Sequence, residues 1–270
     1  MWRWLCSCCV SQLRRLLVNV TPLSATIITF NEAGNIERAI RSVALADEVL
    51  VIDSGSTDGT QTIARQLGAR VVEEPWRGYA GQKNFAAEQA AHDWILSIDA
   101  DEEVSSRLAG EIAALMKAGP SAAGFDFPRL ARYMGGWVRH SGRYPDRKIR
   151  LYDRRRGRWA GDYVHESVRM DGAESHASLE GDLLHYTCDS LSQHLRTLDR
   201  YTSLAAQEVV ARGKGVPLRR ITLDPMWTLF RTLVIQRGFL DGTRGLTIAW
   251  MAALYTFLKY AKAREMSRGR

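Results

Sequence analysis

Four short apolar runs, each followed by a helical pattern, constrain the fold of this chain more than any other feature. The runs cover residues 25–30, 49–53, 69–73 and 94–99, and the helical patterns cover 35–45, 60–67, 82–91 and 105–118. Runs that are apolar on both faces are typical of strands buried on both sides. Strands that alternate with helices form a parallel, doubly wound sheet. The sequence therefore predicts an α/β fold with a mostly parallel central sheet, followed by C-terminal helices.

Acidic residues lie at the ends of two of these runs, where ligands of such sheets bind. Asp53 ends one and Asp99 ends another, with Asp101 two residues further on. Because side chains at i and i+2 of an extended backbone point the same way, both later carboxylates are expected to face one site. Hard oxygen ligands suit Mg²⁺ or Mn²⁺, which would neutralise charge on a departing diphosphate. The alternative is a solvated acidic turn that continues into Glu102 and Glu103.

The loop after residue 53 is rich in Gly, Ser and Thr and opens the next predicted helix. Asp53 ends a buried strand and needs a hydrogen-bond partner, for which a ribose or a uracil-type base edge is suitable. Asp58 is expected to cap the helix instead.

Basic side chains are the second group of candidates. Lys148 and Arg150 alternate along a predicted strand, and they would hold the diphosphate of a substrate or a second, anionic substrate. Lys83 and Asn84 are expected to open the helix 82–91, where amides and charges favour phosphate or sugar oxygens. Solvation of that helix surface is the alternative. His185 ends an apolar pair, and it is either a third metal ligand or a satisfied histidine at a strand end.

The formal net charge of +7 is concentrated at the C-terminus. Residues 212–270 contain twelve Lys and Arg against three Asp and Glu, whereas residues 1–211 contain 25 against 27. A basic segment rich in Trp, Phe and Leu indicates contact with an anionic membrane surface. It contains no nucleic-acid reader motif, so nucleic acid is not expected as a partner.

The cysteines lack the spacing of metal-binding motifs, which favours a location in the reducing cytoplasm.

Four motifs in order along the chain resemble the family 2 glycosyltransferases. They are ATIITFNE at 25–32, VIDSGSTDGT at 51–60, GQKN at 81–84 and SIDADE at 97–102. The resemblance implies the GT-A fold, a nucleotide-sugar donor such as a UDP-sugar, and inversion at the anomeric carbon. It also places Asn31 and Glu32 among the donor-binding residues.

Later segments resemble a narrower branch, the β-glucosyltransferases of the lipopolysaccharide core. These segments are YPDRKIRLY at 144–152, YVHE at 163–166, LLHY at 183–186 and GFLDG at 238–242. The resemblance implies that Glu166 is the general base and that His165 orients the acceptor or tunes that base. A base must lie within hydrogen-bond reach of the acceptor hydroxyl. Asp146, in the predicted Pro-Asp-Arg turn, is the main alternative.

Together these observations predict a peripheral extension at 1–22, a catalytic domain at 23–190 and basic amphipathic helices at 191–270. Helical patterns in the last segment cover 191–212, 225–240 and 245–264. The expected enzyme is a metal-dependent, inverting hexosyltransferase that moves glucose or a similar sugar to the inner core of lipopolysaccharide. It would work on a lipid-linked saccharide at the cytoplasmic face of the inner membrane. The alternatives are transfer to polyprenyl phosphate or another glycan, and a non-catalytic membrane adaptor that binds nucleotide sugars.

Overall fold

The computed structural model describes residues 20–161, 166–172, 176–213 and 215–268. Contacts divide the chain into two compact units. The first comprises the described part of Met1–Arg129 together with Arg147–Leu184, and the second comprises Leu130–Asp146 together with His185–Arg270. His165 lies outside the described residues, as does most of the predicted extension 1–22.

Twelve strands and seven α-helices are assigned within the described residues. The strands are β1 (Leu23–Thr29), β2 (Glu48–Asp53), β3 (Arg70–Glu73), β4 (Trp94–Asp99), β5 (Glu102–Val104), β6 (Gly124–Tyr133), β7 (Gly136–Val138), β8 (Asp146–Asp153), β9 (Gly157–Ala160), β10 (Ser167–Met170), β11 (His176–Ser178) and β12 (Leu183–Cys188). The helices are α1 (Ile36–Ser42), α2 (Thr60–Gln66), α3 (Tyr79–Gln89), α4 (Ser106–Ala118), α5 (Leu191–Ala211), α6 (Arg219–Phe230) and α7 (Gly242–Arg268). A π-helical segment (Arg231–Ile235) and a 3₁₀ turn (Gly238–Asp241) join α6 to α7.

The main sheet has the strand order β3-β2-β1-β4-β8-β6-β12-β5. The first four strands pair in parallel, with Thr29 opposite Asp53 and Ile28 opposite Asp99. β8 runs antiparallel to β4. This register brings the carboxyl ends of β1, β2 and β4 to one edge of the sheet. The predicted α/β class, with a mostly parallel sheet and C-terminal helices, is confirmed.

Side chains alternate between two hydrophobic clusters, one on each face of the sheet. Ala25 and Ile27 of β1 join the cluster that contains residues of α1 and α4, whereas Ile28 joins the cluster that contains Ala86 and Ala87 of α3. Each strand of the parallel part is therefore covered on both faces. This is the physical reason for the nearly continuous apolar runs in the sequence.

Three helix starts differ from the sequence prediction by three residues or more, among them that of α7, which begins at Gly242 and not at 245. α3 begins at Tyr79 after Gly78, whose φ of 79° ends the preceding loop, so Lys83 and Asn84 lie in the middle of the helix and not at its N-terminus. α6 begins at Arg219, and Pro225 lies inside it, although the prediction placed the helix start at this proline. Helix starts are set by the loops before them, and those loops carry weaker local signals than the helix interior.

The second unit has its own small core. Tyr133, Val138, Cys188 and Ile248 are buried together, and α7 packs against α5 and α6. Lys262 of α7 donates to Asp199 and to the hydroxyls of Thr202 and Ser203 on α5. In the described part of the chain, no helix has the length and apolar character needed to cross a membrane.

Candidate active site

The loops after β1 and β2 are tied together by hydrogen bonds at the edge of the sheet. Three consecutive backbone amides of the first loop, at 31–33, donate to side chains of the second loop. The acceptors are Ser56, Thr60 and Asp58, at 2.8, 2.9 and 3.0 Å. In return Asn31 Oδ1 accepts from the Thr57 amide at 2.9 Å. The predicted donor-binding residue Asn31 thus holds the two loops in register.

Asp53 is fully buried at the end of β2. Its Oδ1 accepts from the amides of Gly55 and Ser56 at 3.0 and 2.8 Å and from the Gln61 side chain at 2.7 Å. These bonds fold the loop back over the strand end. Oδ2 is buried and has no hydrogen-bond partner among the described residues. This carboxylate oxygen can therefore accept a hydrogen bond from a ligand.

Asp58 shapes the same loop from the helix side. The N-cap position of α2 is Gly59, so Asp58 lies one residue before the position predicted for it. Its Oδ1 still accepts from the amide and the hydroxyl of Thr60, at the start of α2. These bonds, with the one from the Ala33 amide, lower the pKa of Asp58.

Glu32 lies among acids at this edge. Burial, together with the negative charges of Asp101 and Asp58, raises its pKa above the ordinary value, although a hydrogen bond from Asn35 opposes the shift. Glu32 is thus close enough to Asp101 and to Asp58 to be repelled by each of them. A bound cation would relieve that repulsion.

Asp99 and Asp101 do not share an extended backbone. β4 ends at Asp99, and Ala100 and Asp101 form a turn, so the expected alternation of side chains does not extend to Asp101. The turn is closed by Glu102, whose Oε2 accepts from the Asp99 amide at 2.9 Å. The solvated acidic turn considered as the alternative is also incorrect for Glu102, which is fully buried.

A buried lysine joins two of the predicted site acids. Lys83 Nζ is 3.0 Å from Asp99 Oδ1 and 3.2 Å from Glu166 Oε1, and the side chain is fully buried. The ammonium also lies 4.4 Å from the centre of the Trp159 ring. A buried ammonium needs counter-charges, and it receives both carboxylates and an aromatic face. Lys83 thus fixes Glu166 next to the end of β4.

Arg150 extends the network on the other side of Asp99. Its Nη2 lies 3.2 Å from Asp99 Oδ2 and 2.9 Å from Glu102 Oε1, and Arg129 Nη1 lies 3.3 Å from the same Glu102 oxygen. Burial alone would lower the pKa of Arg150, but the charges of Glu102 and Asp99 raise it. The network therefore contains three cations and three carboxylates, which is how a protein keeps buried charges tolerable.

Asn84 has a supporting role in the structure. Its side-chain amide donates to the Trp159 carbonyl and accepts from the Trp159 amide, each at 2.9 Å. This pair locks β9 onto α3 and holds the Trp159 ring against Lys83 and Arg150. Asn84 thereby orients the cations of the site.

The remaining predicted residues are distributed over both units. Lys148 is half-buried in β8, two residues before Arg150. Asp146 is the first residue of β8, where the sequence predicted a turn, and His185 lies inside β12, where it predicted a strand end. Both belong to the second unit, whereas the charge network belongs to the first.

Sequence reasoning missed Glu102, Arg129 and Trp159. Glu102 and Arg129 are 27 residues apart, and Trp159 is 75 residues from Asn84, so no local spacing connects them to the site. The only available signal is the acidic run after an apolar strand, in which Glu102 is the residue that turns inward.

A divalent cation fits this edge of the sheet by its donor chemistry. Asp101 supplies a hard oxygen ligand at the strand end, while Asp99 is already bound to two cationic side chains. No three His, Cys, Asp or Glu side chains within the described ranges are gathered as a complete metal site. A cation here would need further oxygens from a ligand, and phosphate oxygens are suitable.

Comparison with known proteins gives one family. Residues 24–170 match the model of glycosyl transferase family 2. A Rickettsia felis protein described as an uncharacterized glycosyltransferase is 37% identical over 258 residues, which cover 90% of this chain and 89% of the relative. The Rhizobium meliloti lipopolysaccharide core biosynthesis glycosyltransferase LpsC is 32% identical over 247 residues, which cover 89% of this chain and 91% of that protein.

Two bacterial proteins of solved structure are similar to parts or most of this chain. Staphylococcus aureus TarS is 13% identical, with 93% of this chain and 92% of that chain covered and a TM-score of 0.45. Glucosyl-3-phosphoglycerate synthase from Mycobacterium tuberculosis was solved with Mn²⁺, UDP and phosphoglyceric acid. It is 26% identical, with 43% of this chain and 44% of that chain covered and a TM-score of 0.34.

Proposed function

The chain belongs to glycosyltransferase family 2, and from this membership and the site geometry we propose that it transfers a hexose from a UDP-sugar to the inner core of lipopolysaccharide. The observation that carries the proposal is the buried contact of Lys83 with both Asp99 and Glu166. It joins the acid at the end of β4 to the candidate base. The similarity to LpsC over most of both chains supports the acceptor class.

The donor would lie along the edge formed by the ends of β1, β2 and β4. We assign the nucleoside to Asp53, whose buried Oδ2 has no partner among the described residues, with Asn31 and Glu32 in the neighbouring loop. Because Asp53 is fully buried, contact with a nucleoside requires the side chains around Oδ2 to move aside. Two buried nitrogens of Arg150, Nε and Nη1, also have no partner among the described residues. They are suited to a diphosphate, and Lys148 on the same strand would add charge.

Asp101 would hold Mg²⁺ or Mn²⁺ with the donor's diphosphate, and Asp99 would orient the donor from its fixed place between Lys83 and Arg150. A bound divalent cation neutralises the charge that builds on the leaving diphosphate.

Glu166 would act as the general base. The acceptor hydroxyl oxygen forms a bond to the anomeric carbon from the side opposite the diphosphate, the bond from that carbon to the diphosphate breaks, and Glu166 takes the hydroxyl proton. Inversion follows from this single displacement. His165 would orient the acceptor beside Glu166, and Asp146 is the alternative base. His185 is retained as a candidate metal ligand.

A donor screen tests the proposal. Purified protein, a divalent cation and lipopolysaccharide acceptors of defined truncation are mixed with each nucleotide sugar, and release of nucleoside diphosphate is measured. We expect release that depends on the acceptor. Asp101→Ala should lower it by at least about a hundredfold, since it removes a charge partner of the transition state.

Glu103→Ala is the matched control, because Glu103 belongs to the same acidic run and pairs with Arg38 at 3.6 Å. It should keep most of the activity. Equal activity of Asp101→Ala and the wild type would overturn the proposed metal role. Tight donor binding with no turnover for any acceptor would instead support the adaptor function. Turnover with polyprenyl phosphate alone would replace the acceptor class.

The choice of base is tested separately. Glu166→Gln should lower the transfer rate by about 10²–10⁴ while donor binding is retained, as expected for loss of a general base. Asp146→Asn is the comparison variant, and the larger loss with this variant would assign the base to Asp146.

A further inference from the structure

Helix α6 leaves most of its large apolar side chains exposed. Its buried positions, continued into the π-helical segment, are Pro225 and Thr232. Its exposed positions include Leu223, at 65%, and Trp227, at 57%. A surface helix normally packs its apolar face against the core and leaves its polar face to water. This helix buries Pro225 and half-buries Ile221 and Leu229, but it leaves its largest apolar side chains outside.

The exposed apolar residues form one continuous face. Leu223, Met226, Trp227, Phe230 and Val234 occupy positions i, i+3, i+4, i+7 and i+11, which share one side of a helix. We call this set the apolar stripe. The Trp227 and Phe230 rings lie against each other, with centroids 5.9 Å apart. A contiguous patch of this kind marks an interaction surface.

The opposite side of α6 is fixed by α7. Arg220 donates to the Tyr260 hydroxyl at 2.8 Å, and the hydroxyls of Thr228 and Thr256 lie 3.4 Å apart. α7 also exposes apolar side chains at Leu246, Trp250 and Phe257. The packing of the two helices therefore leaves the apolar stripe outside.

Positive charge accompanies the stripe. Arg219, Arg231 and Arg237 are all exposed. The three acids of residues 212–270 do not pair with them among the described residues. Asp224 pairs with Arg220, and the Asp241 side chain, 5% exposed, accepts from the amides of Arg139 and His140. Glu265, near the end of α7, forms no ion pair with these arginines in the described part of the chain.

From these observations we propose that the apolar stripe is a membrane-docking face that inserts into the headgroup region of an anionic lipid bilayer. Apolar and aromatic side chains flanked by arginines are suited to an anionic interface. A second copy of this chain is a poorer occupant, because it would bring the same basic surplus against itself. The inference deepens the proposed function by naming the face that would meet a lipid-linked acceptor.

The test uses the full chain with vesicles of phosphatidylglycerol and phosphatidylcholine, and with phosphatidylcholine alone, in flotation without donor or acceptor. We expect binding to the anionic vesicles. The double variant Trp227→Gln, Phe230→Gln should weaken it about a hundredfold, since two large apolar side chains no longer leave water. Arg219→Gln with Arg231→Gln should weaken binding to anionic vesicles about thirtyfold.

Leu191→Gln with Leu195→Gln is the matched control, because both leucines are exposed on α5 outside the stripe. It should bind as the wild type does. Three results would overturn the inference. The first is no flotation of the wild type, and the second is an equal loss of binding in the α5 control. The third is a wild-type dimer that the variant Trp227→Gln, Phe230→Gln (the stripe variant) dissociates, while neither protein floats with vesicles. Circular dichroism of each variant checks that it is folded.

The outcome is separable from that of the proposed function. Nucleoside diphosphate release with a water-soluble acceptor oligosaccharide needs no membrane, and the stripe variant should retain it. Flotation without turnover would leave the docking face intact and reject the enzyme reaction. Turnover without flotation would reject the docking face alone.

Discussion

At the scale of single residues, Lys83 is placed where its loss leaves two acids facing each other. Removal of one partner of a buried ion pair leaves uncompensated charge, at a cost of about 3–5 kcal/mol. Lys83→Met keeps most of the side-chain volume and removes the ammonium. We expect it to lower the free energy of unfolding by that amount, measured by urea denaturation monitored by circular dichroism.

Arg107→Met is the control for this variant, because Arg107 forms an exposed pair with Glu111 at 2.9 Å. Exposed pairs contribute about 0–1 kcal/mol. Adding Glu166→Gln to Lys83→Met should recover part of the lost stability, since Glu166 is then neutral, whereas Asp99 still pairs with Arg150. A loss no larger than that of Arg107→Met would show that Lys83 does not hold the acids together.

Glu32 gives a pH-dependent prediction. Burial and the charges of Asp101 and Asp58 raise the pKa of Glu32 in the folded protein. The protonated side chain therefore favours the folded state. Its contribution to stability is present below the ordinary pKa of 4.5 and is lost as the pH rises through the folded pKa. Glu32→Gln removes the ionised form. It should be more stable than the wild type at pH 7, and the difference should vanish near pH 4. Urea denaturation at both pH values measures this.

Glu111 provides a control of opposite sign. Burial would raise its pKa, but hydrogen bonds from the amides of Gly181 and Glu180 lower it. Its contribution is therefore present above the ordinary pKa and is lost as the pH falls through the folded value. Glu111→Gln should be less stable than the wild type at pH 7, with the difference shrinking as the pH falls. The same sign for both variants would contradict these assignments.

At the scale of elements, substitution of alanine for either of two glycines in or near α4 is expected to change the free energy of unfolding in opposite directions. A Cβ on Gly181 would lie 2.4 Å from both Cα and N of Leu108, in the first turn of the helix. A Cβ on Gly110, inside α4, would meet nothing within 4 Å. Gly181→Ala should lower the free energy of unfolding by about 1–3 kcal/mol through overpacking. Gly110→Ala should raise it by about 0.5–1 kcal/mol.

Thermal or urea unfolding of the two variants, measured together, checks this pair. Similar changes in the free energy of unfolding from both variants would mean that the backbone at Gly181, just before β12, does not contact α4 closely. The pair also separates backbone contact from helix propensity, because the side chain added is the same.

Elements with strong local periodicity were predictable from the sequence. The bounds of β4 agree at both ends, and α4 and α5 agree to within one residue, because their patterns are long or end at clear turn signals. The π-helical segment and the 3₁₀ turn were predicted as one continuous helix, because their apolar spacing resembles that of an α-helix. β5 has only three residues and was not predicted.

At the scale of the whole molecule, the sequence predicted the fold class and one edge of the site but not the charge network. Asp53 and Asp99 were identified because a buried strand that ends in an acid is a local signal. The contact of Lys83 with Glu166 joins residues 83 positions apart and depends on how α3 and the segment after β9 pack. Pairing of buried charges is a tertiary property, so spacing along the chain could not reveal it.

The exposure of the apolar stripe on α6 has a consequence for how this segment changes over time. Because Pro225 and Thr232 face inward, the apolar side chains outside contribute little to the free energy of folding. Substitution on that face is therefore restrained by whatever surface it contacts and hardly at all by the need to fold. Among related chains, hydrophobicity at these positions should drift wherever that contact has been lost, while the proline and threonine side persists.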